Sequence, residues 1–207
     1  MKYGLDMEPT VVKEFKELTG PQVEVFKCGL LVHPDIYWMG CSPDGIIYDP
    51  NESPSVGILE IKSFFSLRGK SIDECLNLRR DLCIYRDENG AIRLKRNHKF
   101  FFQLQGLMGI SGLLWSKICI HSKEGSQNLF VEKIEFDSGV FHNFASKVHE
   151  LYFSLFALPI KEVNRQSTEE EKHIAEKHDY NVQSCYCKTA RKNEHVHLLR
   201  MIILVLL

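Results

Sequence analysis

Val56-Gly57-Ile58-Leu59-Glu60-Ile61-Lys62 is apolar on both faces until, near its end, it sets down a carboxylate and an ammonium two residues apart. Side chains at that spacing on a strand share a face, so Glu60 and Lys62 project together while Leu59 and Ile61 point to the opposite side. A strand that reads as core rejects charge unless the charge binds something, because an unpaired buried ion is costly. Upstream, Tyr37-Trp38-Met39-Gly40-Cys41 and Ile46-Ile47-Tyr48 read as strands, with Asp49 to Pro54 as the loop before Val56. Between those two strands, Ser42-Pro43-Asp44-Gly45 has turn chemistry, which places Asp44 where the second one begins.

Taken singly, these pieces are bland. Glu-x-Lys is common on solvated strand faces, and Ser-Pro-Asp-Gly is ordinary turn composition. Their order is what carries meaning, since it brings two carboxylates and an ammonium to one place. Phosphodiester hydrolysis uses that set: carboxylates hold Mg²⁺, the metal supports the attacking water and the leaving oxygen, and a lysine orients or deprotonates the water.

Cys41-Ser42-Pro43-Asp44-Gly45, then Gly57-Ile58-Leu59-Glu60-Ile61-Lys62, then Phe101-Phe102-Gln103-Leu104-Gln105-Gly106 resemble, in sequence and in order, the phage lambda exonuclease and YqaJ-type recombinase nucleases. That family is a branch of the restriction-endonuclease-like superfamily. Gly4-Leu5-Asp6-Met7-Glu8 is similar to its glycine-x-x-x-glutamate segment, and the resemblance covers Met1 to Pro159. It implies an α/β fold, with a central mixed β-sheet flanked by helices. It implies Asp44, Glu60 and the backbone carbonyl of Ile61 as ligands of Mg²⁺, for which Mn²⁺ can substitute, with Glu8 at or near a second metal position. Lys62 becomes the water-orienting residue, and Gln103 positions the water or Lys62 from a neighbouring helix. On residue type alone, Glu8 is also what a helix N-terminus favours, and Pro9 suits a first turn.

With 207 residues and a net charge of −1, the chain has length for an adequate core and is not basic overall. Charge is concentrated instead: from Lys62 to Lys99, ten Lys or Arg face five Asp or Glu, directly after the strand that carries Glu60. Such a segment can bind phosphates without regard to sequence, or be a solvated charged hairpin, for Leu82 to Tyr85 and Ala91 to Leu94 read as strands around the turn Asp87-Glu88-Asn89-Gly90. Downstream, Leu104, Leu107, Met108, Leu114 and Trp115 recur at helical intervals, and Gly106, Gly109 and Gly112 suggest close packing on the sheet. Lys117 to His121 and Phe130 to Phe136 read as strands, and Phe141 to Leu155 as a helix stopping near Pro159. His121 and His142 have no metal-ligand partners at suitable spacing.

Seven scattered cysteines form no disulfide framework, so an intracellular, reduced chain is expected, with nucleus and cytoplasm undecided. The apolar run Met201 to Leu207 is too short to cross a bilayer, and no membrane partner is expected. The nuclease domain is placed at 1–159 and a charged tail at 160–207, with a helical stretch at Thr168 to Lys177. In the tail, Cys185, Cys187, His195 and His197 have zinc-ligand chemistry but lack the further cysteine pairs of a finger, so a truncated or unrelated end is preferred. The resemblance also leaves the family's upstream helical sequence missing here. The expected activity is Mg²⁺-dependent exonucleolytic hydrolysis of linear double-stranded DNA with free ends, in recombination or end processing, by in-line attack of a metal-activated water. A homo-oligomer is compatible with it. Two alternatives stand beside it: an endonuclease of the same superfamily, and an inactive mobile-element-derived fragment that binds nucleic acid or protein.

Overall fold

The computed structural model describes residues 2–79, 81–125 and 128–154. The chain opens with a long helix, α1 (Lys2–Thr19), followed by β1 (Glu24–Phe26), the short pair β2 (Leu31–Val32) and β3 (Gly40–Cys41), β4 (Gly45–Tyr48) and β5 (Val56–Ser63). A 3-10 turn (Phe65–Leu67), α2 (Ile72–Leu78) and the hairpin β6 (Ile84–Arg86) and β7 (Ile92–Leu94) lead to α3 (Lys99–Ser111). Then come β8 (Trp115–His121), β9 (Phe130–Glu135) and α4 (Ser138–Tyr152). The main sheet has the order β1-β4-β5-β8-β9; β5 and β8 run parallel and the other pairs antiparallel, giving the mixed α/β architecture expected from the sequence.

Two apolar layers hold the helices to this sheet. On one face Ile58, Ile118, Ile120 and Ile134 pack against α3 and α4 through Leu104, Leu107, Met108, Phe144 and Val148. On the other, Ile47, Leu59, Ile61 and Cys119 meet Val11 and Phe15 of α1. β5 is buried on both faces, and the alternation turns Glu60 and Lys62 toward the α3 side. α3 is itself apolar nearly all round, as an enclosed helix must be.

At the far end of the sheet, the Trp115 indole donates to the Pro54 carbonyl at 2.7 Å and lies between Lys117 and Lys133. Those lysines bond Asp49 at 2.8 Å and Glu52 at 2.6 Å, so the ammoniums near the aromatic core are compensated. Trp115 lies so close to β5 that only a glycine fits at position 57.

Several expectations are corrected. Tyr37 to Met39 is a turn rather than strand, because the His33 ring accepts from the Asp35 and Ile36 amides at 3.1 Å and Met39 N donates to Ile36 O at 2.8 Å. Gly106 and Gly109 give α3 its close approach to Phe144 and Phe141 of α4, not to the sheet. Gly112 ends α3 in a left-handed cap at φ 73°, so Leu114 and Trp115 belong to the strand side of that stop. Pro9 sits inside α1, and Glu8 is therefore beyond the first turn, where the helix dipole has little hold on it. The boundary at Pro159, the tail and its cysteines and histidines lie outside the described residues. Among the described residues no helix is long and apolar enough to cross a membrane.

Gly57→Ala should lower unfolding free energy by about 1–3 kcal/mol, since its methyl overlaps the fully buried indole of Trp115. Gly109→Ala should cost less, because the Phe141 ring is only half-buried and can swing away. Urea denaturation midpoints test the order, and a Gly57→Ala midpoint equal to wild type would show that the indole is not fixed.

Candidate active site

Antiparallel register sets the site's first contact. Gly45 pairs with Leu59, so the preceding residue, Asp44, falls beside Glu60 as β4 begins. Gly45 fits there because a side chain would press on Val25 and the Phe26 carbonyl of β1. Asp44 Oδ2 accepts from the Ile61 amide at 2.6 Å, which ties the turn to β5. Through the parallel pairing of β5 with β8, Glu60 and Lys62 lie opposite Ile118 and Ile120, whose side chains belong to the layer under α3.

From α3, Gln103 Nε2 donates to Glu60 Oε1 at 2.7 Å, and Lys62 Nζ pairs with that same oxygen. Glu60 is 2% exposed, and its Oε2 is buried without a hydrogen-bond partner. Burial pushes the Glu60 carboxyl up to about 7, with the Asp44 charge adding to the rise and Lys62 opposing it. Asp44 is raised by burial in the same way, against the pull of Lys62 and the Ile61 amide. Lys62 would be lowered by burial, but the charges of Glu60 and Asp44 outweigh that and hold it above its ordinary value, as an ammonium. Its Nζ also lies 5.1 Å from the centroid of Phe100, one helical turn before Gln103.

Glu8 joins this field from α1. Burial raises its carboxyl, Asp44 raises it further, and Lys62 and Lys27 oppose the shift. Three carboxylates thus act on one ammonium in a desolvated place, an arrangement short of positive charge. Among the described residues, no three His, Cys, Asp or Glu side chains stand together as a ready metal cage. The donors that fit a divalent cation are the Asp44 and Glu60 carboxylates, including the unpartnered Glu60 Oε2, with backbone carbonyl oxygen as supplement. Oxygen ligands of this kind suit a hard ion such as Mg²⁺.

All five side chains singled out from the sequence, Glu8, Asp44, Glu60, Lys62 and Gln103, are linked by bonds or by mutual electrostatic influence. Sequence reading missed Phe100 and Lys27; Phe100 was legible as the residue three before Gln103 on a helical face. The second glutamine has a different task. Gln105 is fully buried, donating to Glu135 O at 2.9 Å and accepting from Asp137 N at 2.7 Å, which fixes α3 to the start of α4.

The basic segment is less open than its composition suggests. Arg79 pairs with Asp81, Arg86 with Asp73, and Arg96 with buried Glu132 at 3.0 Å, while Arg93 reaches Asp87 at 3.3 Å. Glu132 also accepts from the Leu94 amide at 2.6 Å, so these contacts dock the hairpin on β9. His121 is buried, 3.5 Å from the Ser63 hydroxyl and 3.9 Å from Glu14, with burial lowering its basicity; His142 is exposed.

No curated protein sequence matches the chain. Among solved structures, it is similar to LHK-Exo in complex with dAMP, with 21% identity and a TM-score of 0.58 over 80% of this chain and 72% of that one. A second structure, an alkaline exonuclease (LHK-Exo) from Laribacter hongkongensis, gives 20% identity and a TM-score of 0.54 over 80% and 73%. At that identity the likeness establishes the fold, the restriction-endonuclease-like core of a mixed sheet flanked by helices. The family model for the YqaJ-like viral recombinase domain matches residues 1–113, a span that includes Glu8, Asp44, Glu60, Lys62 and Gln103, and the chain belongs to that family.

Proposed function

We propose that the protein is a Mg²⁺-dependent deoxyribonuclease that hydrolyses phosphodiesters of linear double-stranded DNA from its free ends, in recombination or end processing. The observation that carries this reading is the Asp44–Glu60–Lys62–Gln103 cluster around the buried Glu60, with its surplus of carboxylate and its unpartnered Glu60 oxygen. Membership of a recombinase family and a fold shared with an alkaline exonuclease support DNA as substrate and attack from an end.

Asp44 and Glu60 would hold the metal, with the Ile61 carbonyl as a further ligand and Glu8 toward a second position. When bound, Mg²⁺ supplies Lewis acidity, offsetting phosphate charge and acidifying water. The protein's own residues do the rest. Lys62, held as an ammonium between Glu60 and Asp44, orients the attacking water and carries positive charge to the phosphoryl oxygens. Gln103 fixes the Glu60 carboxylate, so the oxygen it leaves free points in one direction. The Ile61 amide does the same for Asp44.

Incubating the protein with linear duplex labelled at the 5′ or the 3′ ends, in Mg²⁺, Mn²⁺ or EDTA, tests the activity and reads its direction. Asp44→Ala, Glu60→Ala and Lys62→Ala should each lose about 100-fold or more of the cleavage rate. Gln103→Ala, which acts through Glu60, should lose about 10- to 100-fold. Covalently closed circles should resist; their cleavage would make the protein an endonuclease, and binding without any cutting would make it an inactive relative.

Metal binding also has a readout independent of cleavage. A free Glu carboxyl ionises near 4.5, whereas that of Glu60 is pushed up to about 7. Between those values the folded chain holds a proton that the unfolded chain has released. In EDTA, this group's contribution to stability is therefore full below about pH 4.5 and is lost as pH rises through about 7. Mg²⁺ favours the charged form and should raise the thermal midpoint more at about pH 8 than at about pH 5. Equal gains at both pH values would remove Glu60 from the ligand set.

A further inference from the structure

Three residues beyond Lys62, the chain makes a 3-10 turn that presents Phe65 outward, 57% exposed. Its surroundings are firm. Leu67 is buried beneath the turn and donates from its amide to Phe64 O at 3.0 Å, Phe64 N donates to His121 O at 3.3 Å, and Gly69 N to Ser122 O at 2.7 Å. The Ser122 hydroxyl donates to Lys70 O at 2.7 Å, so both ends of the turn are fastened to β8 and the loop after it. On one side the Arg68 guanidinium stacks 3.9 Å from the Phe65 ring centroid, with Arg68 Nη1 donating to Phe65 O at 3.1 Å. Tyr3, on the α1 segment that carries Glu8, forms a T-shaped pair with the ring, centroids 5.3 Å apart at 76°.

Arg68 is unlike the other described arginines of the basic segment. Arg79, Arg86, Arg93 and Arg96 each sit on a carboxylate, whereas among the described residues Arg68 pairs with an aromatic ring and a carbonyl, and its charge remains to be answered. With a guanidinium stacked on it and a tyrosine meeting it at a steep angle, the ring still leaves 57% of Phe65 open to solvent. Base–aromatic stacking suits such a plate, because every nucleobase offers a π face and no particular sequence is required.

We propose that Phe65, backed by Arg68 and Tyr3, stacks on an unpaired nucleobase of the DNA strand entering the Asp44–Glu60–Lys62 site, with Arg68 facing that strand's phosphate charge. The inference rests on the nuclease reading and adds to it the way the strand is steadied: a single base, unstacked from its duplex, lies flat on Phe65. It also gives α1 a part in substrate handling, since Tyr3 braces the plate from the helix that carries Glu8.

The test uses full-length protein carrying Lys62→Ala, so that DNA is bound and not cut, with a linear duplex bearing 2-aminopurine at one of the first few positions from its end. The probe is quenched by its neighbours in the free duplex, and its transfer from them onto Phe65 raises its emission at one of these positions. Phe65→Leu keeps an apolar side chain against Tyr3 but has no π face; it should abolish the rise and weaken binding about tenfold. Phe65→Trp should restore the affinity, while the thermal midpoints of all variants stay together because the ring is exposed. Unchanged emission and affinity in Phe65→Leu overturn the stacking plate while leaving cleavage by the wild type intact. If the wild type neither binds nor cuts linear duplex in Mg²⁺, the nuclease reading falls and this inference with it.

Discussion

A carboxylate enclosed in the middle of a sheet governs the arrangement of this molecule. Glu60 belongs to a strand covered on both faces, and ionising it there is unfavourable unless positive charge and hydrogen bonds are brought to it. Each nearby element contributes one of them. β5 supplies Lys62 from the next position on the same face, and α3 reaches over the sheet with Gln103. For that amide to arrive at the right depth, α3 must lie close to the sheet and keep its rotation. Gln105, locked between Glu135 and Asp137, prevents the helix from turning, and Gly106 and Gly109 let α4 press it down. Packing far from the cluster therefore sets its geometry.

Much of this was legible because the same residues obey two rules at once. Val56 to Lys62 alternates as a strand and yet breaks the apolar pattern at Glu60 and Lys62, where local pattern and burial conflict; such conflicts mark sites. Gln103 stood out for the matching reason, a polar group in a helix otherwise almost wholly apolar. What escaped reading depends on contacts between distant segments. Tyr37 to Met39 looks like strand by composition, but the ring of His33 bends the chain just before it. α2 went unread, although Ser71 and Glu74 form a capping box that announces its start. The partner of Gly109 could not be read, because a small residue announces a close approach without naming what approaches.

Electrostatics shows the same limit. Composition gives the segment after β5 a basic surplus, but the fold spends much of it on internal pairing with Asp73, Asp81, Asp87 and Glu132. Counting charges along a chain reveals how many are present, while the tertiary arrangement decides which of them a ligand can meet.

The parallel pairing of β5 with β8 has a consequence in time. Its two strands are separated by the 3-10 turn, α2, the hairpin and α3, so this pairing closes a long loop, and long-range parallel contacts form slowly. Asp44, Glu60 and Lys62 lie near one another in the chain, but the wall that desolvates them and the glutamine that steadies them arrive only when that loop closes. During synthesis the acidic groups thus emerge into water as ordinary carboxylates, with ordinary proton affinity. The shifted proton affinity of the cluster is a property of the closed crossover, and a ribosome-bound chain that has not yet released β8 carries the residues without that environment.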